Sequence, residues 1–246
     1  MTETKIMRWC FLVLALASTP LAGALAQTGA PPGAAPGAPS VAPPGSDSGT
    51  TPQRPAPPPA DSIAAVGKPG WTVDAENGCW VWNPNPQQEE TVRWTGPCPE
   101  GPSQGEGVLA WRYVREGQPG DERYVGTMAR GRMHGIGTYL ESTGEVYQGE
   151  FQDGREQGRG LRVFPTGRYD GEWRQGQRHG RGVMFWINGN LFRGEFRNGL
   201  PEGPGEYYSV EDGWFRGDWQ AGCLRDGNRV AALGKPIEVC RDATEG

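Results

Sequence analysis

The chain has 246 residues, of which 40 are glycine, 23 proline and only 35% apolar, and its formal net charge is −5. That much glycine and proline excludes an ordinary packed core along the whole length, and ten tryptophans exclude a chain that is disordered throughout. The acidic balance speaks against nucleic acid as a partner.

Residues 1–26 read as a signal peptide. Lys5 and Arg8 precede the apolar run CFLVLALAS, Pro20 breaks it, and Ala24, Leu25 and Ala26 form a small-residue cleavage site before Gln27. An uncleaved membrane anchor is the alternative. The protein is therefore expected to be exported, to the periplasm or the extracellular medium. Residues 27–69 hold twelve prolines and no aromatic residue or cysteine, the composition of a disordered, extended Pro/Ala/Gly-rich linker. The foldable part begins near residue 70.

Beyond Cys10 in the leader there are four cysteines: Cys79, Cys98, Cys223 and Cys240. An even number in an exported chain suggests two disulfides. Close spacing favours Cys79–Cys98 and Cys223–Cys240, although four cysteines allow three connectivities. Each such bond would contribute about 3 kcal/mol. There is no CxxC pair of the kind a zinc site uses, and no metal or cofactor is expected.

Between the cysteine pairs one frame recurs, aromatic-x-Gly-x-aromatic-x-x-Gly-x-x-x-Gly-x-Gly. It starts at Tyr124, Tyr147, Tyr169 and Phe192, with a partial copy at Phe215, at spacings of 23, 22, 23 and 23 residues. A degenerate copy, WTGPCPEGPSQGEG, starts at Trp94 and is followed by the insertion VREGQPGDE. Each unit reads as a β-hairpin. Side chains alternate along a strand, so Tyr169, Gly171 and Trp173 share one face, and a ring can lie flat over the glycine's bare backbone. The same reading applies to Tyr124 and Gly126; to Tyr147, Gly149 and Phe151; to Phe192, Gly194 and Phe196; and to Phe215, Gly217 and Trp219. RQGQRHG supplies a turn, GRGVMFWI the return strand, and STGE, PTGR, NGN and EDGW are links.

This pattern closely resembles the MORN (membrane occupation and recognition nexus) repeat, including its bacterial examples, over residues 94 to about 222. The resemblance implies an all-β fold, a single elongated, twisted antiparallel sheet of consecutive hairpins. It also implies a non-enzymatic part in scaffolding, self-association or attachment near membranes. The expected organisation is an N-terminal cap with the degenerate repeat at 70–123 and an array at 124–222, with units 124–146, 147–168, 169–191, 192–214 and a partial one at 215–222. A C-terminal cap at 223–246 follows. Trp80 and Trp82 are expected to cover the first repeat, since repeat arrays need atypical ends.

No catalytic residues are expected. His134 and His179 occupy equivalent frame positions two units apart and cannot converge. Glu150, Glu172, Glu195 and Asp218 recur on the face opposite the rings, where neighbouring Arg174, Arg193, Arg197 and Arg216 suggest a solvated ladder of ion pairs. Arg132, Arg155, Arg159, Arg178 and Arg181 are expected along the turn edge, where they could meet an anionic lipid. Phe164, Trp186 and Tyr207 form a return-strand row that could stack on a glycan or a peptide. The leading expectation is a scaffold that binds a protein partner or itself; the alternative is a surface binder for anionic phospholipid or cell-wall glycan.

Overall fold

The computed structural model describes residues 54–242. The expected signal peptide and residues 27–53 of the linker lie outside the described residues. Among the described residues fifteen strands are formed. In the N-terminal part these are β1 (Gly70–Val73), β2 (Trp80–Asn83), β3 (Gln88–Trp94), β4 (Gly105–Arg115) and β5 (Gln118–Ala129). The repeats give β6 (Arg132–Leu140), β7 (Val146–Gln152), β8 (Arg155–Phe164), β9 (Gly167–Arg174), β10 (Gln177–Trp186), β11 (Leu191–Arg197), β12 (Leu200–Ser209) and β13 (Gly213–Trp219). The C-terminal part adds β14 (Cys223–Asp226), β15 (Arg229–Ala232) and a short helix α1 (Ile237–Asp242). Strands β3 to β13 form one eleven-stranded sheet in strict chain order, every neighbour antiparallel. β1–β2 and β14–β15 are separate two-stranded sheets, so the expected all-β ribbon of hairpins is what the chain forms.

The hairpins are tighter than the sequence suggested. The turn between β9 and β10 is only Gln175–Gly176, with φ of 51° and 80°. Two successive residues of positive φ make the type I′ geometry that matches strand twist, and glycine takes the second place without strain. Asp153–Gly154 and Asn198–Gly199 repeat it. Each turn also holds its neighbour: Gly176 N donates to Glu156 O (2.9 Å) and Gly199 N to Arg178 O (3.0 Å). Consecutive units are thus joined at the turn edge as well as through the sheet.

The rings lie over bare main chain, as expected. Tyr169 is fully buried and packs against both Gly171 and Gly182, which face each other in register. Its hydroxyl donates to Glu172 O (3.1 Å), as Tyr147 does to Glu150 O (3.0 Å) and Tyr124 to Thr127 O (2.9 Å). The second frame aromatic then fits edge-on between successive first aromatics. Tyr147–Trp173, Trp173–Tyr169, Tyr169–Phe196 and Phe196–Phe192 stand 5.3, 5.2, 5.0 and 5.1 Å apart, all near perpendicular. Such contacts contribute about 0.5–1.5 kcal/mol each beyond area burial. A single sheet thereby builds a continuous core on one of its faces.

The frame carboxylates do not form the expected ion-pair ladder. Glu150 accepts from Arg159 N (2.9 Å) and Glu172 from Arg181 N (3.0 Å), each closing over a β-bulge in the next strand. Gly180, φ +56°, lies under the Glu172 carboxylate, where a Cβ would come within 2.5 Å of Oε2. The bulge frees backbone N–H groups that the sheet cannot pair, and a carboxylate is the nearest acceptor. Arg193 and Arg216 instead both pair with Glu206. Glu172→Ala should cost about 1 kcal/mol, measurable as a fall of about 2–4 °C in melting temperature, while the exposed Asp170→Ala should leave it unchanged.

Both ends are closed by the expected disulfides, Cys79–Cys98 and Cys223–Cys240, with Cα atoms 5.5 and 5.4 Å apart. The N-terminal tryptophans divide their work differently from the expectation. Trp80 packs over Gly101 within the cap, and Trp71 reaches the first repeat's turn at Gly131. Trp82 N donates to Gly131 O (2.8 Å), and the Trp82 ring carries the Arg132 guanidinium at 4.3 Å. Residues 54–69, linker by composition, lie against this cap. Pro58 is buried, Arg54 Nη2 donates to Ala75 O (3.1 Å), and Trp80 Nε1 donates to Ala56 O (3.1 Å). A proline-rich segment builds no core, but its carbonyls and rings can be gripped by one. At the other end Leu224 and Leu233 are buried. Arg229 donates to Asp212 O (3.0 Å) and Trp214 O (2.9 Å) beside β13, blunting the last strand against further pairing.

Candidate functional site

The insertion after the degenerate repeat is not a loose loop. It extends β4 and β5 into an eleven- and twelve-residue hairpin closed at Glu116–Gly117. The added length carries Glu122 past the Arg123–Leu140 pair at which β6 ends, and sets Tyr113 beside it where β3 still pairs with β4, both on the ring face of the sheet. There they meet Tyr139 of β6 on one side, and the cap segment Val81–Asn85 with Gln87 and Glu90 forms the opposing wall. Between these elements lies a cleft of about 860 Å³.

Its interior is acidic and closely hydrogen-bonded. Glu122 accepts from the hydroxyls of Tyr113 (2.5 Å) and Tyr139, and Tyr113 also meets Ser142 Oγ (3.0 Å). Glu90 accepts from Gln87 N (2.9 Å) and Asn83 Nδ2. Burial raises the Glu90 carboxyl above the usual carboxylate range, and the Glu122 charge adds to this. Burial likewise raises Glu141 against the pull of Arg162. Tyr139 is pushed far above the ordinary phenol range by burial and by Glu122. Beside the cleft Arg162 binds Glu141 (3.2 Å), Glu145 (3.1 Å) and Glu156, whose carboxyl is also raised by burial. The rim is basic: Arg115, Arg132, Arg155 and Arg174 line it, with Arg115 held by Gln87 Oε1 (3.2 Å) and set over the Tyr113 ring at 5.0 Å. Acceptors inside and guanidinium groups outside suit a ligand that brings a hydrogen-bond-donating or cationic group inward and keeps acidic groups at the mouth.

The raised carboxyls fix a pH dependence. A carboxyl whose folded value lies above its unfolded one holds its proton more tightly when folded. That stabilisation is present below the unfolded value and is lost as pH rises through the folded one. Melting temperature should therefore fall as pH rises from the ordinary carboxylate range through the raised values of these groups, and Glu90→Gln should remove its share of that fall.

The predicted binding residues are divided among three places. Arg132 and Arg155 line the cleft. Arg178, Phe164 and Trp186 line a smaller hollow of about 230 Å³ farther along the same face, where Tyr207 stands 6.1 Å from Trp186. Arg178 is not on an exposed edge: its guanidinium lies 5.9 Å from the Tyr169 ring and 5.6 Å from that of Phe196, and burial lowers its pKa. Arg159 and Arg181 are exposed on the opposite face, because the bulge and strand alternation turn them away from the rings. Sequence reasoning missed Glu90, Tyr113, Glu122, Tyr139 and Glu141. The insertion that interrupts the period was the only signal for them.

The MORN repeat model matches residues 124–144, 147–167, 169–191 and 192–212. These are four consecutive units, β5 to β12 with their links. No curated protein matches the chain significantly. MORN repeats are in general binding repeats for proteins or membrane lipids and are typically non-catalytic.

Proposed function

Because the chain carries four consecutive MORN repeats, we propose that it is an exported, non-enzymatic scaffold of the cell envelope that engages a protein partner or a second copy of itself. The cleft between the N-terminal cap and the first repeats is the observation that carries this reading. A partner segment with a basic side chain between acidic neighbours would place its cation on Glu90 and Glu122 and its carboxylates on the rim arginines. Two disulfides fit an oxidising compartment, which supports export. Among the described residues no helix is long and apolar enough to cross a membrane.

The test is capture from the native envelope with tagged wild type and with a Glu90→Gln/Glu122→Gln pair. The wild type should retain a defined partner and the pair should lose it; equal retention would refute the role of the cleft. A second reading has its own support. Arg130, Arg155, Arg174 and Arg197 are exposed beside the hairpin turns, an arrangement that fits anionic phospholipid head groups. Co-sedimentation with anionic liposomes, weakened by salt, would favour lipid, and retention on insoluble wall polymer would favour glycan.

A further inference from the structure

The face of the sheet away from the rings is ordered in rows that the strand register defines. One row runs Leu140–Val146–Val163–Arg168–Phe185–Leu191–Tyr208–Trp214, one residue from each of β6 to β13. Leu140, Val163, Phe185 and Trp214 are exposed in it, an unusual run of apolar surface on a sheet with no second layer. Four residues along the strands lies a charged row whose signs alternate, with Arg159 opposite Glu172 and Arg181 opposite Glu195. The guanidinium groups of Arg159 and Arg181 have no ion-pair partner among the described residues.

We propose that this face is a homodimer interface, in which two copies pack their sheets back to back about a two-fold axis that runs along the strands between β9 and β10. The proposal gives the self-association part of the reading above its surface and does not depend on the cleft. Such an axis exchanges β9 with β10, β8 with β11, β7 with β12 and β6 with β13, and leaves each row facing its own copy. Alternating charge is then self-complementary: Arg159 faces the second copy's Glu195, and Glu172 faces its Arg181. In the apolar row Val163 faces Leu191 and Leu140 faces Trp214, while Arg168, already stacked on the Phe185 ring of its own chain at 4.7 Å, meets the same pair of the second copy. The row between sets Leu161 against Arg193 and Asp170 against Val183. At none of these positions do like charges meet. An isologous contact requires this property of one surface.

The size is adequate. Eight strands about 4.8 Å apart and rows about 7 Å apart span about 35 by 20 Å, or about 700 Å² per copy, close to the roughly 800 Å² of a standard interface. Twist makes packed sheets cross at about 30°, and a shallow hollow of about 660 Å³ lies among Arg159, Glu172, Arg181 and Glu195, so about 700 Å² is the upper bound of the direct contact.

Sedimentation of the full chain tests this. Wild type should run at twice the chain mass. Arg159→Glu, which places carboxylate against carboxylate at two symmetric points, should raise the dissociation constant about ten-fold or more. Arg159→Glu/Glu195→Arg should restore the dimer, since both inter-copy contacts are then reversed together. Val163→Lys, in the apolar row, should weaken it without touching the charged row and decides the matter if Arg159→Glu fails to fold. A wild-type monomer at about 100 µM, or a dimer indifferent to both single variants, overturns the proposal. Neither outcome bears on partner capture by the cleft.

Discussion

Replacing Gly171 with valine is expected to lower the melting temperature by about 10 °C or more. A Cβ there would stand 2.5 Å from Tyr169 Oη and 2.6 Å from the Cα of Gly182. The ring could turn aside, but the facing backbone belongs to the adjacent strand and cannot, so the two strands must part. Turning the ring also breaks its bond to Glu172 O and its edge contacts with Trp173 and Phe196. The damage therefore spreads to the units on both sides, at a cost of about 3 kcal/mol or more. Tyr169→Phe separates the two parts of the argument. It keeps the ring and loses only the hydroxyl, a state already present at Phe192, and should cost about 1 kcal/mol. A Gly171→Val protein that melts with the wild type would show that the rings do not rest on main chain at all.

Removing the Cys79–Cys98 bond by paired serine substitution should cost about 3 kcal/mol, and so should removing Cys223–Cys240, because the closed loops are of similar length at 19 and 17 residues apart. Their functional consequences should differ. The N-terminal bond anchors Cys79 directly before β2, whose Val81, Trp82 and Asn83 form one wall of the cleft. Without it that wall is tied to the rest of the molecule by its ladder with β1 and by the Trp80 N to Gly101 O (2.8 Å), Ser103 N to Trp80 O (2.9 Å) and Trp82 N to Gly131 O (2.8 Å) bonds. The C-terminal bond closes β14, β15 and α1 beyond the last strand of the sheet, away from the cleft. Partner retention at a temperature where both variants remain folded should thus fall for the Cys79/Cys98 pair and persist for the Cys223/Cys240 pair. Equal loss would mean that the cap does not shape the site. The comparison needs folding checked by far-UV spectra, where both variants should keep the β signature.

Much of this was legible in the chain. Period, ring positions and glycines told where hairpins would form, since strand alternation and the lack of a Cβ act within a few residues and are written into local sequence. The disulfide pairs were legible because short loops close most readily. Contacts between elements far apart in sequence were not. The frame glutamates read as partners for arginine, yet Glu150 and Glu172 serve bulges that no linear pattern reveals. Arg178 looked like its exposed neighbours, and only the stacking of successive units places it against the Tyr169 and Phe196 rings.

The sequence alone determined the architecture, because a repeat that can bury its rings only against its own copies has one way to stack. Tertiary structure decided the cleft and the use of the two faces. Glu90, Glu122 and Tyr139 come from the cap, the insertion and the first repeat, and their chemistry exists only where folding brings these segments within hydrogen-bond reach. Register, which a one-residue slip would invert, decided which arginines face the rings and which face away.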